Sequence, residues 1–206
     1  GGTFDWTAGG KYPELTEPDE SYHGVVYAEQ FGKAAYITKA RTQLMRDLGT
    51  TVQPIAAFLI NNGLETLSLR IRKHSENALA IAEYLRTRSD IVESVSYPGL
   101  SDDKEHGKAM KYLKNGMASG VVSFCVKGGR EKAMAFMNAL KLAAIVIHVA
   151  DVRTCVLNPA STTHRQLSDD MLKKAGIEPG FVRFSVGIED KEDIIRDIEE
   201  AFKACL

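Results

Sequence analysis

The sequence predicts an α/β or α+β fold of two layers, centred on a domain that covers residues 89–206. Four short stretches there have the alternating or apolar pattern of strands, and glycine, proline or polar residues bound them. Stretches with three-to-four apolar spacing lie between them, as expected for amphipathic helices. A long amphipathic stretch, residues 64–88, precedes this domain.

The first third of the chain predicts less regular structure. Residues 1 to about 30 are rich in glycine and proline with aromatic residues between them, which predicts a long irregular segment. Residues 36–47 have helical spacing. Pro54 opens an apolar helical stretch, and Asn61-Asn62-Gly63 predicts its end.

Residues 64–88 give the strongest helix signal, because Leu64, Leu67 and Ile71 begin a three-to-four spacing that continues to Leu85. Such a helix would span roughly 37 Å. A helix of this length often links or braces two domains.

Strands and helices alternate after residue 88. The predicted strands are 92–97, 120–126, 144–149 and 181–186. The predicted helices are 102–113, 130–142, 168–175 and 191–204. Ser168 is predicted to cap the third of these helices at its N-terminus, and Gly176 follows its C-terminus.

Bulk composition excludes several classes of function. The 206 residues are 44% hydrophobic and 26% charged, and the net charge is -1. That balance gives no basic footprint for nucleic acid or for a membrane surface. The apolar runs are too short to cross a membrane, and the start has no secretory signal pattern. The first residue is not Met, which favours a start inside a longer polypeptide or after processing.

The cysteines favour a cytoplasmic protein with reduced thiols. Cys125, Cys155 and Cys205 are odd in number, widely spaced and set among mostly apolar residues. None has a neighbouring base, so a catalytic thiol is the weaker interpretation.

Arg183 is the first candidate for chemistry. It shares one face of the last predicted strand with Ser185, opposite Val182, Phe184 and Val186. A guanidinium offers a planar fork that fits a carboxylate with two hydrogen bonds. A surface arginine, or a structural ion pair for instance with Glu189, is the alternative.

The second candidate is the segment 158–164, where Asn158-Pro159 starts a turn and Ser161, Thr162 and Thr163 offer hydroxyls. A helix cap or a plain surface loop is the alternative. His148 ends an apolar strand, where side chains often face a site, although a hydrogen-bonded rim histidine is also possible. The five histidines lack the spacing of zinc ligands, so no metal is predicted. No dinucleotide, Walker or nucleophile-elbow motif is present in the sequence.

Taken together these segments resemble a known family. Residues 158–167 (Asn-Pro-Ala-Ser-Thr-Thr-His-Arg-Gln-Leu) and 182–190 (Val-Arg-Phe-Ser-Val-Gly-Ile-Glu-Asp) resemble the C-terminal portion of the pyridoxal-phosphate-dependent enzymes of Cys/Met metabolism. Within that family they are most similar to the O-acetylhomoserine sulfhydrylases. The resemblance runs along essentially the whole chain, including residues 2–6, 46–49, 61–67 and 148–151.

The resemblance implies a fold and a division of the chain. The fold would be the two-layer small domain of the aspartate-aminotransferase-like, fold type I enzymes, with a remnant of the large cofactor domain. Residues 1–63 would be the tail of the large domain, 64–88 the linking helix and 89–206 the C-terminal small domain.

The resemblance also implies residue roles. Arg183 stands where the family's arginine binds the substrate α-carboxylate. His148 stands where relatives have serine or asparagine against the same carboxylate, so the role of its side chain is open. Thr163 lies on the site's edge. The Schiff-base lysine of the family, in a serine-x-threonine-lysine motif, has no match here, and Thr38-Lys39 lacks the following glycines. No catalytic residue and no cofactor-binding residue is therefore assigned.

The function implied is the C-terminal part of an O-acetylhomoserine sulfhydrylase that acts with pyridoxal phosphate on a small amino-acid substrate and sulfide. It would form homocysteine and acetate in the cytoplasm as part of a homo-oligomer, a tetramer in this family, without nucleic acid or membrane as partner. The chain alone is expected to be inactive. The alternatives are part of a cystathionine γ-synthase, part of a methionine or cystathionine γ-lyase, or a non-catalytic domain for oligomerisation or ligand binding.

Overall fold

A computed structural model describes residues 2–206, and the chain divides into two compact units, Gly1–Asn62 and Gly63–Leu206. Within residues 2–206 no helix combines the length and the apolar character that a membrane crossing requires.

Residues 2–26 are mostly turns and loops, as predicted, and the first unit contains several short helices. They are α1 (Pro13–Thr16), α2 (Tyr27–Phe31), α3 (Ala35–Lys39) and α4 (Met45–Leu48), with a π-helical turn at Ala40–Leu44 between the last two. Leu15, Tyr27 and Ala35 form a small buried cluster. Lys39 and Asp19 form an ion pair at 2.8 Å beside it.

Two longer helices follow, and their boundary differs from the predicted one. Helix α5 spans Pro54–Glu65 and helix α6 spans Leu67–Thr87, with a break at Thr66. The predicted end at Asn61-Asn62-Gly63 is wrong, since Gly63 keeps a negative φ and the helix continues through it. Glycine inside a helix costs only about 1 kcal/mol relative to alanine, so it need not end one.

The second unit contains one five-stranded sheet within the described residues. The strands are β1 (Val92–Ser96), β2 (Val121–Val126), β3 (Ala144–Ile145), β4 (Cys155–Leu157) and β5 (Phe181–Ser185). Their order across the sheet is β1-β2-β5-β4-β3, antiparallel except for β3 beside β4. The remaining helices are α7 (His106–Tyr112), α8 (Gly129–Ala139), α9 (Asp169–Lys174) and α10 (Lys191–Phe202).

One face of the sheet forms the core with helices α6, α8 and α10. The sheet contributes Val122, Phe124, Val182 and Phe184, and the helices contribute Ala78, Ile81, Phe136, Ile194 and Ile198. Because side chains alternate along a strand, the other face of β5 carries Arg183 and Ser185. The two-layer arrangement confirms the predicted α/β fold and leaves Arg183 off the core.

The region between α8 and β5 departs most from the prediction. Residues 144–149 were expected to form a buried strand, but the strand ends at Ile145, and Ile147 is 69% exposed. The buried strand β4 lies later, at Cys155–Leu157, where the sequence pattern predicts none. Apolar character alone therefore placed the buried strand at 144–149 instead of at β4. The sequence did not indicate β4, because a three-residue strand is too short to show a period.

Candidate functional site

Arg183 lies on the central strand of the sheet. It is opposite Ser123 of β2 on one side and Leu157 of β4 on the other. This position is held by hydrogen bonds on both edges of β5, so the backbone that carries the guanidinium is rigid.

Two backbone carbonyls hold the guanidinium. Nη2 donates to the oxygen of Ile147 at 2.7 Å and to that of His148 at 3.1 Å. Nε is buried and has no hydrogen-bond partner among the described residues. Across residues 2–206 no carboxylate lies within ion-pair distance of Arg183. The guanidinium is therefore positioned by neutral groups, and no carboxylate of the described residues balances its charge.

Glu189, the expected alternative partner of Arg183, is engaged elsewhere. Its carboxylate accepts hydrogen bonds from the backbone nitrogen of Thr154 at 2.7 Å and from the Thr154 hydroxyl at 2.9 Å. That hydroxyl accepts in turn from the backbone nitrogen of Gly187 at 2.9 Å. The ion pair between Arg183 and Glu189 does not occur, and Glu189 instead joins the start of β4 to the end of β5.

Ser185 adds a second unpaired polar group on the same face. Its side chain is buried, and its Oγ has no hydrogen-bond partner within residues 2–206. Buried polar groups in native proteins are nearly always paired. The face of β5 that carries Arg183 and Ser185 therefore contains two buried polar atoms without a hydrogen-bond partner among the described residues.

His148 contributes its backbone to Arg183 and its side chain to a different contact. The imidazole Nε2 lies 3.1 Å from Oδ2 of Asp151 and 4.0 Å from Sγ of Cys155. The Asp151 carboxylate also accepts from the backbone nitrogen of Arg153 at 3.0 Å. That backbone bond first, and the imidazole second, hold the pKa of Asp151 below its ordinary value, whereas burial raises the pKa of the Cys155 thiol.

Asn158 organises the hydroxyl loop. The side chain is fully buried, and its amide nitrogen donates to the carbonyls of Pro179 and Phe181 at 2.9 and 2.7 Å. The Asn158 backbone oxygen accepts the hydroxyls of Ser161 and Thr162. These two hydroxyls are therefore used to shape the turn and are not offered to a ligand.

Thr163 is the exposed hydroxyl of the loop, and its Oγ1 lies 2.9 Å from Nδ1 of His164. No hydrogen bond joins Thr163 to Arg183 or His148 in the described part of the chain. The structure thus brings Arg183 and the backbone of His148 together, while Thr163 stays apart from that contact.

Arg130 fixes the far side of the same loop. It donates to the carbonyls of Ala160 and Leu167 at 2.6 and 2.9 Å and pairs with Asp169 at 2.7 Å. The N-terminal cap of α9 is confirmed, since the backbone nitrogen of Met171 donates to the Ser168 hydroxyl. Sequence reasoning missed Arg130, because nothing in a helix pattern shows which loop a side chain will reach.

Comparison with known proteins identifies the family. The family model described as "Cys/Met metabolism PLP-dependent enzyme" matches residues 19–203. The chain belongs to this family. The predicted resemblance and the pyridoxal-phosphate dependence of the family are thereby confirmed.

Individual relatives agree with this assignment. An O-acetyl-L-homoserine sulfhydrylase of Leptospira meyeri is 46% identical, over 98% of this chain and 47% of that protein. A homocysteine synthase of Schizosaccharomyces pombe is also 46% identical, with the same two coverages. The crystal structure of a Campylobacter jejuni O-acetylhomoserine (thiol)-lyase, which contains N′-pyridoxyl-lysine-5′-monophosphate, matches with a TM-score of 0.80 and 35% identity, over 93% of this chain and 45% of that one. The chain spans about half the length of the curated relatives it matches.

The donors around Arg183 suit one part of the chemistry of this family. Arg183 has no carboxylate partner among residues 2–206, so it is a cation that suits an anionic group such as the carboxylate of an amino acid. Pyridoxal phosphate, when bound, supplies the electron sink for carbanion chemistry.

Proposed function

We propose that this chain is the substrate-carboxylate side of an O-acetylhomoserine sulfhydrylase. The parent enzyme would replace the acetoxy group of O-acetylhomoserine with sulfide and release homocysteine and acetate. The observation that carries the proposal is Arg183, which is positioned by two carbonyls, unpaired by any carboxylate among residues 2–206 and buried at Nε. The sulfhydrylases among the relatives support this choice of substrate.

Arg183 acts by orientation. The charge of Arg183 and the guanidinium donors that the two carbonyls leave unused hold the α-carboxylate, and this fixes the direction of the Cα–H bond of the amino acid. The carbonyls of Ile147 and His148 hold the guanidinium before the substrate arrives, so less side-chain entropy is lost on binding. His148 acts on the carboxylate indirectly, because its backbone carbonyl positions Arg183. Thr163 borders the substrate on the loop side.

In this proposal the catalytic lysine lies in the part of the parent enzyme that this chain does not span. Residues 1–63 represent the tail of the large cofactor domain, 64–88 the linking helix and 89–206 the small domain. The 206-residue chain alone would then bind no cofactor through an internal Schiff base and would be inactive.

The parent protein is proposed to be a cytoplasmic homo-oligomer. Three free cysteines support a reducing compartment. Self-association is supported by the outer surface of α5, where Ile55, Phe58 and Leu59 are each about 60% exposed. Sedimentation of the whole protein tests this, and a monomer at micromolar concentration would contradict it.

The decisive experiment is an assay of the whole protein that contains this chain. Acetate release from O-acetylhomoserine is measured with sulfide, which gives homocysteine, and separately with cysteine, which gives cystathionine. Turnover of methionine and of cystathionine by γ-elimination is measured as well. We expect sulfide to give the highest kcat/KM. Preference for cysteine would indicate a cystathionine γ-synthase, and turnover of methionine or cystathionine alone would indicate a γ-lyase. No turnover of any of them, and no cofactor absorbance, would indicate a non-catalytic domain.

A further inference from the structure

A second cluster of reactive groups lies beside the carbonyls that hold Arg183. Nε2 of His148, a carboxylate oxygen of Asp151 and Sγ of Cys155 all lie within 4.8 Å of one another. We propose that these three side chains form a binding site for Zn²⁺ or a similar borderline-soft divalent metal ion. The site shares His148 with the proposed substrate side but uses its imidazole rather than its backbone carbonyl, and it does not depend on the proposed reaction.

The arrangement excludes the other common use of these residue types. In a nucleophile–histidine–carboxylate triad the imidazole faces the nucleophile with one ring nitrogen and the carboxylate with the other. Here Nε2 faces both Asp151, at 3.1 Å, and Cys155, at 4.0 Å. Because Asp151 and Cys155 lie near the same ring nitrogen, the imidazole cannot pass a proton from one side of the ring to the other. The three groups can instead bind one cation between them.

The distances suit zinc. Zinc binds nitrogen, oxygen and sulfur ligands at about 2.0–2.3 Å in a tetrahedron, which separates neighbouring ligand atoms by about 3.3–3.8 Å. The two separations that include His148, 3.1 and 4.0 Å, bracket that range, and the Asp151 and Cys155 ligand atoms lie within 4.8 Å of each other. A set of thiolate, imidazole and carboxylate favours zinc over Mg²⁺ or Ca²⁺, which prefer oxygen ligands only.

The surrounding structure orients each ligand. Cys155 is fixed on β4, which pairs with β3 and β5. Asp151 uses Oδ1 to accept from the backbone nitrogen of Arg153, so Oδ2 faces the imidazole. Ala150 has a φ of +67°, and this left-handed turn brings the side chains of His148 and Asp151 together three residues apart. Second contacts of this kind orient metal ligands in known sites.

Binding would exchange one proton for one metal ion. The Cys155 thiol now points at the carbonyl of Arg153, at 3.3 Å. Zinc takes the thiolate, the thiol proton passes to solvent and the contact with Arg153 is lost. The cluster supplies three ligands among the described residues, so a water molecule would complete the tetrahedron.

The test is metal binding by the untagged protein, measured by zinc content after dialysis and by titration with Co²⁺ followed through thiolate-to-cobalt charge-transfer absorption. Wild type should retain one zinc per chain, and zinc should displace cobalt while Mg²⁺ does not. Cys155→Ser should weaken binding at least about tenfold, the lower bound for loss of even an outer contact of a metal site.

A matched control separates this site from general thiol binding. Cys125 is also a buried thiol on the sheet, but it faces Glu93 at 3.6 Å, and Cys125→Ser should bind zinc like wild type. Asp151→Asn, in a surface turn, provides a second ligand variant if Cys155→Ser does not fold by circular dichroism. The proposal fails if wild type retains no zinc, if both ligand variants bind as wild type does, or if Cys125→Ser loses the metal.

Discussion

Two arginines of the second unit are held in opposite ways. Arg130 donates to two carbonyls of the loop 160–167 and pairs with Asp169, so its charge is neutralised within the protein. Arg183 donates to two carbonyls as well, but no carboxylate of the described residues pairs with it, and its buried Nε has no partner. The first arrangement stabilises a loop. The second leaves a positioned cation without a charged partner among the described residues, and the proposed role of Arg183 in binding depends on this difference.

The largest expected effect is on substrate binding by the Arg183 variant. Arg183→Ala in the whole enzyme should raise the KM for the amino acid by roughly 30- to 5,000-fold, because loss of one partner of a charged hydrogen-bonded pair costs about 2–5 kcal/mol. Cofactor absorbance should not change. Steady-state kinetics at varied amino-acid concentration measures this, and a KM within threefold of wild type would refute the assignment of the carboxylate to Arg183.

Arg183→Lys sharpens the same experiment. Lysine keeps the charge but has a single nitrogen, so it cannot contact the carbonyls of Ile147 and His148 and still offer several donors to a carboxylate. Most of the KM increase should remain in this variant. A wild-type KM in Arg183→Lys would show that the carboxylate is bound by the positive charge alone, and not by the geometry that Ile147 and His148 set.

Arg130→Ala should act on stability rather than on binding. The variant leaves the carbonyls of Ala160 and Leu167 without their charged donor, which should lower the free energy of unfolding by about 1.5–3 kcal/mol. Urea denaturation measures the change, with Arg196→Ala as a control, since Arg196 is 68% exposed and pairs only within its own helix. If Arg130→Ala raises KM as much as Arg183→Ala does, the distinction between the two arginines is wrong.

The contrast also shows what a sequence can and cannot predict. The alternation at residues 181–186 correctly placed Arg183 and Ser185 off the core, because strand periodicity depends only on local chemistry. The turn residues at 158–164 predicted a loop. They did not predict that Asn158 would be buried, or that its amide would donate to the carbonyls of Pro179 and Phe181, which lie 21 and 23 residues later in the sequence. The family resemblance, confirmed by comparison, came from motifs rather than periodicity.

The region 144–157 was the hardest to predict. Apolar residues 144–149 suggested a buried strand, yet most are exposed, while β4 is a buried strand of only three residues. Histidine spacing could not reveal the cluster of His148, Asp151 and Cys155, since it depends on the left-handed turn at Ala150. A non-glycine residue with positive φ gives no signal in a single sequence.

His148→Ala should raise the KM for the amino acid less than Arg183→Ala or Arg183→Lys does. The structure connects His148 to Arg183 through its backbone carbonyl, which alanine retains, while the imidazole faces Asp151. In buffer with a metal chelator, KM should rise by no more than about tenfold, or 1.4 kcal/mol. An increase equal to that of Arg183→Ala would show that the imidazole itself holds the carboxylate, as the residues of relatives at this position are expected to do.

The smallest expected effect is the acid dependence contributed by Asp151. Its pKa is lowered below 3.8 in the folded protein, by the backbone nitrogen of Arg153 first and by His148 second. A carboxyl with a lowered folded pKa contributes stability that is complete above its unfolded pKa and is lost as the pH falls through the folded one. The difference in unfolding free energy between wild type and Asp151→Asn should therefore shrink between about pH 5 and about pH 3. Urea midpoints at each pH, in metal-free buffer, measure it. A difference that stays constant over this range would mean that the contacts with Arg153 and His148 do not stabilise the charged form of the Asp151 carboxylate.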